Sequence, residues 1–531
     1  MKKTLFIPVF LLIHSFLIAQ ETEPIEVLHA DRMVILKQFP GQKLLKGNVR
    51  LKHKNAILTC DQAILDTDKN FAEATGNVML NQGDTLKLQS EILRYDGQND
   101  FALALQKVRL TDPQMSLQTD TLAYDRLKDI AYYRSGGFIR DSVNTIKSQT
   151  GKYYPSEKRY EFIGNVVIVN PDYEIRSTHL DYNTQTRISH FYGPTKIISP
   201  SGNYIYAQKG FYDSRNDSGW FKNNAFVRSA SSWLSADSIY ADKSKGFFSA
   251  SGNVKMQDDK NKIIALAGYA EQWEKTDSTV LKTNPLVISY EEKDTLYTAA
   301  ENIFIRKRDT SRTVWAFPDV RFFQNEFSGR CDSLYRNPYK HTIELYHSPV
   351  LWNEDTQITG KEIIIKLDSL NRRADSLLIP ENVFIAQKDS AGFNQIKGEK
   401  LFGKFIDNKL RKIRIIGNAE TLYYLRDDNG KPVGIDKSAC SEIEIETDTL
   451  GQVEKIYLRE EPSGTTYPPD KFPAELKKLP GFKWLGNLRI RSKEDLINGR
   501  NTKIIQPREV NNKEQPLTNP RLLPKRLFKR L

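Results

Sequence analysis

The residues able to carry catalysis are few, and their spacing does not suit it. His341 and His347, in the run HTIELYH, fall on one face of a strand but about 20 Å apart at the usual strand rise, too far to share a metal. They read as surface residues. DTDKN at 66–70 opens like a calcium loop, yet Phe71 stands where such a loop needs glycine, and no glutamate closes its twelfth position. No HExxH, GxSxG or phosphate-cradling glycine loop is present. Cys60, Cys331 and Cys440 are odd in number, far apart and without CxxC spacing, so they read as incidental, with one disulfide between two of them left open. An aspartate recurs just after a tyrosine, at Asp96, Asp125 and Asp213. It reads as a turn former whose carboxylate bonds local backbone, against the alternative of a row of carboxylates serving acid–base hydrolysis. The expectation is a chain that is not an enzyme and uses no cofactor or metal.

Composition narrows the class. Lys plus Arg 78 less Asp plus Glu 66 gives +12, and 39% hydrophobic with 27% charged residues excludes both a multi-span membrane protein and a wholly disordered chain. A length of 531 allows three or four domains or one long repeat array. Twenty-four Tyr and 26 Phe against five Met, with many Ile, Val and Thr, favour an all-β fold, because branched and aromatic side chains suit a pleated surface. The basic excess is concentrated near the C-terminus and the aromatic column described below lies on an apolar face, so no nucleic acid is expected as partner.

Lys2 and Lys3 precede an apolar stretch from Leu5 to Ala19, after which Gln20, Glu21 and Glu23 turn polar. That order is a secretory signal peptide at 1–19, too short and too interrupted by Pro8 and His14 to favour an uncleaved anchor. No cysteine follows it to accept a lipid. The product is expected outside the cytoplasm.

The elements come from a repeat. GNVRL at 47–51, GNVML at 76–80, GNVVI at 164–168 and GNVKM at 252–256 are spaced by 29, 88 and 88 residues, and QKVRL at 106–110, GGFIR at 136–140, GPTKI at 193–197 and NAFVR at 224–228 fill the gaps of a period of about 29. About 16 residues after each comes a second element, as in CDQAILD, SEILRYD and TDTLAYD, which puts Tyr95, Tyr124, Tyr153, Tyr182, Tyr212 and Tyr240 in one column and Leu93, Leu122 and Leu180 in another two residues earlier. Residues two apart in a strand share a face, so the columns form one apolar side that only stacking of copies could bury. Polar turns at 66–70, 96–100, 125–129 and 213–217 close each copy. Beyond about residue 260 the pattern loosens, through NPLVIS, PDVRFF, SPVLW, ENVFIA and GNAETL, for about thirteen copies in all. From Glu461 five prolines break the ladder, and 501–531 carry eight Lys or Arg against two acids, which reads as a solvated tail or an electrostatic handle for acidic lipid or a partner.

The paired elements GNV-x-[LI] and [ST]-D-x-[AL]-x-Y-D, best seen at 47–66 and 76–96, resemble the OstA-like family of lipopolysaccharide-transport proteins, which includes LptA and the N-terminal domain of LptD. The resemblance is clear over 24–260 and looser to 460. It implies an elongated, repetitive, open β-jellyroll of stacked antiparallel strands, with an apolar groove along it. The expected organisation is a signal peptide at 1–19, jellyroll repeats at 20–270, a second, degenerate array at 271–460 and a Pro-rich, then basic tail at 461–531. The function implied is a periplasmic carrier or bridge holding lipopolysaccharide on its way to the outer membrane, joined head to tail by strand addition to the jellyroll domains of other transport proteins, with association to either membrane open. Groove residues inferred on that reading are Val49, Leu51, Val78, Leu80, Leu93, Tyr95, Val108, Leu110, Leu122, Tyr124, Val166, Ile168, Leu180 and Tyr182; the competing role for each is ordinary core packing. The rival functions are a secreted β-solenoid acting on polysaccharide and a non-enzymatic envelope scaffold with a filled core.

Overall fold

The computed structural model describes residues 23–498, except 84–85, 114, 291–294, 309–310, 326, 371–372, 408, 428 and 450–452. The expected signal peptide and residues 499–531 lie outside the described residues. The fold is all-β and jellyroll-like, built almost wholly of antiparallel strands. It divides into unit 1, residues 1–170 with 174–185, and unit 2, residues 171–173 with 186–531.

In unit 1 successive long strands, among them Phe39–His53, Ala56–Asp66, Phe71–Gln82, Leu86–Asp96, Phe101–Thr111 and Met115–Asp125, pair each with the next. Every such pairing slips at one place: between Lys46 and Val49, Thr75 and Val78, or Leu105 and Val108. These bulges are the GNV elements and, at Gln106–Lys107, their QKV copy. An extra residue bends a strand, so each strand turns a corner there and gives one half to each of two ladders. Gly47, Asn48, Gly76, Asn77, Gly164 and Asn165 all have positive φ, which glycine and asparagine tolerate best. A carboxylate earlier in the chain sits against the corner: Asn48 donates to Asp31, in the bend between Glu26–His29 and Arg32–Leu36, at 3.0 Å, and Asn77 donates to Asp61 at 2.9 Å. A methyl group on Gly76 would come within 2.5 Å of that same Asp61. The motif is therefore the hinge of the jellyroll.

The recurring aspartate closes the other end of each strand pair. Asp66, Asp96, Asp125, Asp213 and Asp242 accept backbone N–H bonds from residues two or three further on, at 2.9 to 3.1 Å. They are turn formers. The tyrosine before the turn ties to it as well: Tyr95 donates to Asp100 at 3.3 Å, Tyr124 to Asp129 at 3.4 Å and Tyr212 to Asp217 at 3.0 Å.

Unit 2 opens with the short strands Ile188–Phe191, Thr195–Ile198, Tyr204–Ala207 and Lys209–Asp213 and then returns to long ones, Ser218–Arg228, Ser232–Asp242, Phe247–Asp258 and Ile263–Trp273, bent at Asn223–Asn224 and Gly252–Asn253. After Trp273 each long strand is cut at its corner into two short ones. One wall then consists of Leu286–Tyr290, Thr295–Ala299, Val320–Gln324, Phe327–Cys331, Val350–Asn353, Thr356–Thr359, Val383–Lys388 and Phe393–Gly398. The other holds Ser278–Lys282, Asn302–Arg308, Ser311–Phe317, Ser333–Asn337, Thr342–Tyr346, Glu362–Leu367, Ala374–Ile379 and Lys400–Ile406. Both walls start on Ile263–Trp273 and rejoin on Lys409–Arg426, which bends at Gly417–Asn418.

The sequence reads the segment from Glu461 as a tail, solvated or an electrostatic handle, whereas its described part packs on the sheet. Ser463–Tyr467 adds a strand beside Pro432–Thr447, and residues 468–498 lie along the outer face of the first wall. Phe472 and Leu479 bury against Phe384, Ala386, Leu422 and Tyr424, while Ile490 and Leu496 bury against Leu286 and Ala299. Two buried glutamines clamp this strap by its backbone. Gln357 donates to the Lys483 carbonyl at 2.8 Å and accepts from the Leu485 N–H at 2.7 Å; Gln395 does the same with Lys477 and Leu479, at 2.9 and 2.8 Å. Prolines that cannot join a ladder suit a segment held by side chains instead.

Candidate functional site

The fourteen inferred groove residues fall into four inward rows of unit 1. Val49, Val78, Val108 and Val166 stand just past the corners, opposite the smaller Cys60, Ser90, Thr119 and Ser177. Leu51, Leu80, Leu110 and Ile168 belong to one cross-strand row that runs Leu51, Leu58, Leu80, Leu88, Leu110, Leu117, Ile139, Ile146, Ile168, Ile175. Leu93 and Leu122 lie in a row that mixes leucine and alanine, Leu45, Ala63, Ala74, Leu93, Ala104, Leu122, and Leu180 pairs with the large Phe162. Tyr95 and Tyr124 flank Ala102, and Tyr182 faces Tyr160.

Eleven of the fourteen are buried; Leu80, Tyr95 and Tyr124 are half-buried. A row that mixes leucine with alanine interdigitates with the opposite wall, and this interior is packed. The cavity bordered by Leu51, Leu80, Leu93 and Tyr95 holds only about 20 Å³. Residues 23–25 stop its end: Ile25 is buried, its N–H donates to Asn70, Asn70 donates to the Glu23 carbonyl, and His53 bonds both that carbonyl and the Tyr95 hydroxyl. Burial pushes the Tyr95 hydroxyl well above its ordinary pKa, with the Asp100 carboxylate adding to the rise, so it stays a neutral donor.

Unit 2 differs. Its two walls enclose a cavity of about 2320 Å³, far beyond the roughly 300–1,000 Å³ of a small-molecule pocket. One wall presents Val287, Thr298, Leu351, Ile358, Ile385 and Ile396, members of one cross-strand row in which Phe322 and Gly329 stand between Thr298 and Leu351, and the facing wall presents Leu281, Ile303, Ile305, Val314, Leu334 and Ile343. The lining is aliphatic through its depth and polar at its rim, where Lys243, Asp217, Asp258, Lys307, Arg312 and Arg373 stand. Such a surface can hold long apolar chains and leave a charged group at the edge. None of the fourteen sequence-inferred residues lines it. The signal for it was in the sequence, since NPLVIS, SPVLW and ENVFIA supply Val287, Leu351 and Ile385.

Polar chemistry elsewhere is sparse. His341 and His347 lie at the two ends of Thr342–Tyr346, both with positive φ, rather than on one face of it. Cys60, Cys331 and Cys440 are buried and free, and burial pushes the Cys60 thiol up to about 11. Among the described residues no cluster of three or more metal-ligating side chains occurs, and no helix is long and apolar enough to cross a membrane.

Among the described residues the first strands, Glu26–His29 and Arg32–Leu36, each pair on one side only, with Phe39–His53. Leu28, Met33, Ile35 and Phe39 are exposed along this edge. An edge of this kind is a template for another strand.

In comparison with known proteins, residues 22–178 match the family described as OstA-like protein. No curated protein matches the chain. Among solved structures, the crystal structure of LptH, the LptA homologous periplasmic component of the conserved lipopolysaccharide transport device from Pseudomonas aeruginosa, is 18% identical, covering 19% of this chain and 76% of that one with a TM-score of 0.18.

Proposed function

Since residues 22–178 belong to the OstA-like family, we propose that this chain is a non-enzymatic periplasmic carrier that shelters the acyl chains of lipopolysaccharide on their way to the outer membrane. The observation that carries the reading is the unit 2 cavity: about 2320 Å³, aliphatic within, polar at the rim. Burial of each CH₂ is worth about 0.8 kcal/mol, so a few acyl chains supply affinity without any nucleophile or metal. Directional movement needs an outside source of energy. Unit 2 is the main chamber on this reading, and the fourteen unit 1 residues meet cargo only when their walls part. The open edge at Glu26–His29 and Arg32–Leu36 is where another jellyroll domain of the transport machinery would add its strand.

Photocrosslinking in cells tests this. A photoreactive residue at Ile358 or Ile303 should give a lipopolysaccharide adduct, one at Tyr95 or Leu180 a weaker one, and one at the exposed Arg94 or Phe402 none. Adducts absent from Ile358 and Ile303 in exported, folded protein would remove the carrier reading and leave an envelope scaffold.

A further inference from the structure

Away from the corners, the two ladders of unit 1 end in turns. One ladder ends at 66–70, 96–100 and 125–129 and, further on, at Tyr182; the other ends at residues 23–25 and in the turns 54–55 and 142–144. These ends meet each other. Asn70 accepts the Ile25 N–H at 2.9 Å and donates to the Glu23 carbonyl at 3.0 Å. His53 bonds the Tyr95 hydroxyl, Lys54 donates to Asp100 at 2.6 Å, Arg126 donates to Asn55 at 3.5 Å, and Asn144 donates to Tyr182 at 3.3 Å. Partners stand 38 to 71 residues apart, and every pair joins one ladder to the other.

The seam differs in kind from what lies behind it. The inward rows of both ladders are aliphatic, whereas these clasps at their edge are polar, with His53, Asn70 and Asn144 buried and the Asp100 side chain 12% exposed. Parting two apolar faces leaves hydrocarbon in water, but a clasp that opens exchanges each internal hydrogen bond for one to water at little net loss. On the far side each Gly-Asn corner is a bulge in positive φ, where the strand already bends. Such short irregular stretches are what absorbs the rotation of a hinge. A line of bends and a line of exchangeable bonds thus bound the same two walls on opposite sides. The aliphatic rows between them lose their partner only while the seam is open, and a hydrocarbon chain lying in the gap restores it.

We propose that this seam is a latch: unit 1 opens along it, turning on its corners, and takes in an acyl chain from the side. This rests on the carrier reading and adds the route by which cargo reaches the unit 1 rows. The parted clasps line the lips of the gap, where the polar part of an amphiphile stays in water.

The test is thiol labelling of the full chain with N-ethylmaleimide at pH 7.5. Ala102→Cys puts a reporter at a buried inward position between Tyr95 and Tyr124, and the buried Cys331 of unit 2 is the control within the same molecule. Lys54→Met with Tyr95→Phe and Tyr182→Phe removes three clasps and should speed labelling at position 102 at least about tenfold, with Cys331 and the amide protection of the unit 1 strands unchanged. Lys54→Met alone, at a partly exposed side chain, keeps the test valid if the triple variant does not fold, and should speed it at least about threefold. Glu73→Gln, which breaks the ion pair of Arg94 and Glu73 within one ladder, should change nothing. In cells the triple variant should also strengthen the lipopolysaccharide adduct of a photoreactive residue at Leu180. Labelling that stays slow overturns the latch. Labelling that rises equally at Cys331, or with loss of strand protection, overturns it as well, because the clasps would then serve the fold as a whole. Fast labelling with no stronger adduct at Leu180 overturns admission from the side, and the adduct at Ile358, which does not depend on the seam, tells that failure from failure of the carrier reading.

Discussion

At the corners of the repeats two adjacent residues take a left-handed conformation, and at the Gly-Asn corners 47–48, 76–77, 252–253 and 417–418 a carboxylate packs against a glycine whose added methyl would meet it, a combination Gly-Asn meets cheaply. The same economy governs the turns, where one carboxylate satisfies several donors. Asp242 is the fullest case: it accepts from the Lys245 side chain at 2.7 Å, the Ser244 hydroxyl at 2.7 Å and the Lys245 N–H at 3.1 Å. These bonds, with the Lys245 ammonium foremost, hold its carboxyl down to about 2. A carboxyl depressed in the folded state adds stability above its unfolded pKa of about 3.9, and loses it as pH falls through the folded value. Asp242→Ala should therefore cost on the order of 1 kcal/mol at neutral pH. Thermal melts of both proteins should show a constant gap from pH 7 to about 4 that closes toward pH 2. A gap that persists at pH 2 would mean the side chain acts by shape and not by charge.

Among the elements, the strap at 468–498 shows how a sheet whose both faces are apolar stays in water: the first wall of unit 2 faces the cavity with one side and is covered by the chain's own C-terminal segment on the other. Gln357 and Gln395 each give the strap a donor and an acceptor, as a neighbouring strand would. Gln357→Leu with Gln395→Leu removes all four hydrogen bonds from these side chains to the strap, one of them to the buried Leu479, and should free the strap at a cost of about 2–4 kcal/mol. Hydrogen exchange read at 476–490 should accelerate strongly while the strands of the facing wall keep their protection. Uniform acceleration over unit 2 would instead make the strap part of the global fold. The strap was not legible in the sequence because Phe472, Leu479, Ile490 and Leu496 follow no period, and prolines between them read as breaks. The strands were legible for the opposite reason. A two-residue alternation and a corner motif recurring about every 29 residues leave little freedom in register, and even the loosened copies, Thr283–Asn284, His347–Ser348 and Gly417–Asn418, keep the positive φ of a corner. Asp31, Asp61, Asp237 and Glu399, the acids that answer four of the five Gly-Asn corners, with Gln149 at the fifth, could have been found as a column shortly before each GN.

At the scale of the whole molecule, the sequence shows the same aliphatic inward rows in both units, and only the structure separates a packed interior from a chamber. Composition of a wall does not set the distance to the opposite wall. Unit 1 fills its interior with a mix of large and small side chains and stacked rings such as Tyr153 on Tyr160 at 4.3 Å, whereas unit 2 keeps about 2320 Å³ between rows no less apolar. A single kind of substitution distinguishes the two states. Val78→Phe, at a fully buried unit 1 position, must push neighbours off their rotamers and should cost about 1–3 kcal/mol in urea unfolding. Val287→Phe and Val314→Phe extend into the unit 2 cavity and should change stability by less than about 1 kcal/mol, because the added ring meets open space. The same two variants should bind amphiphile at least severalfold more weakly, since the ring occupies volume the acyl chains need. Equal destabilisation at all three valines would mean that unit 2 closes on itself in solution, and the chamber, with every function built on it, would go.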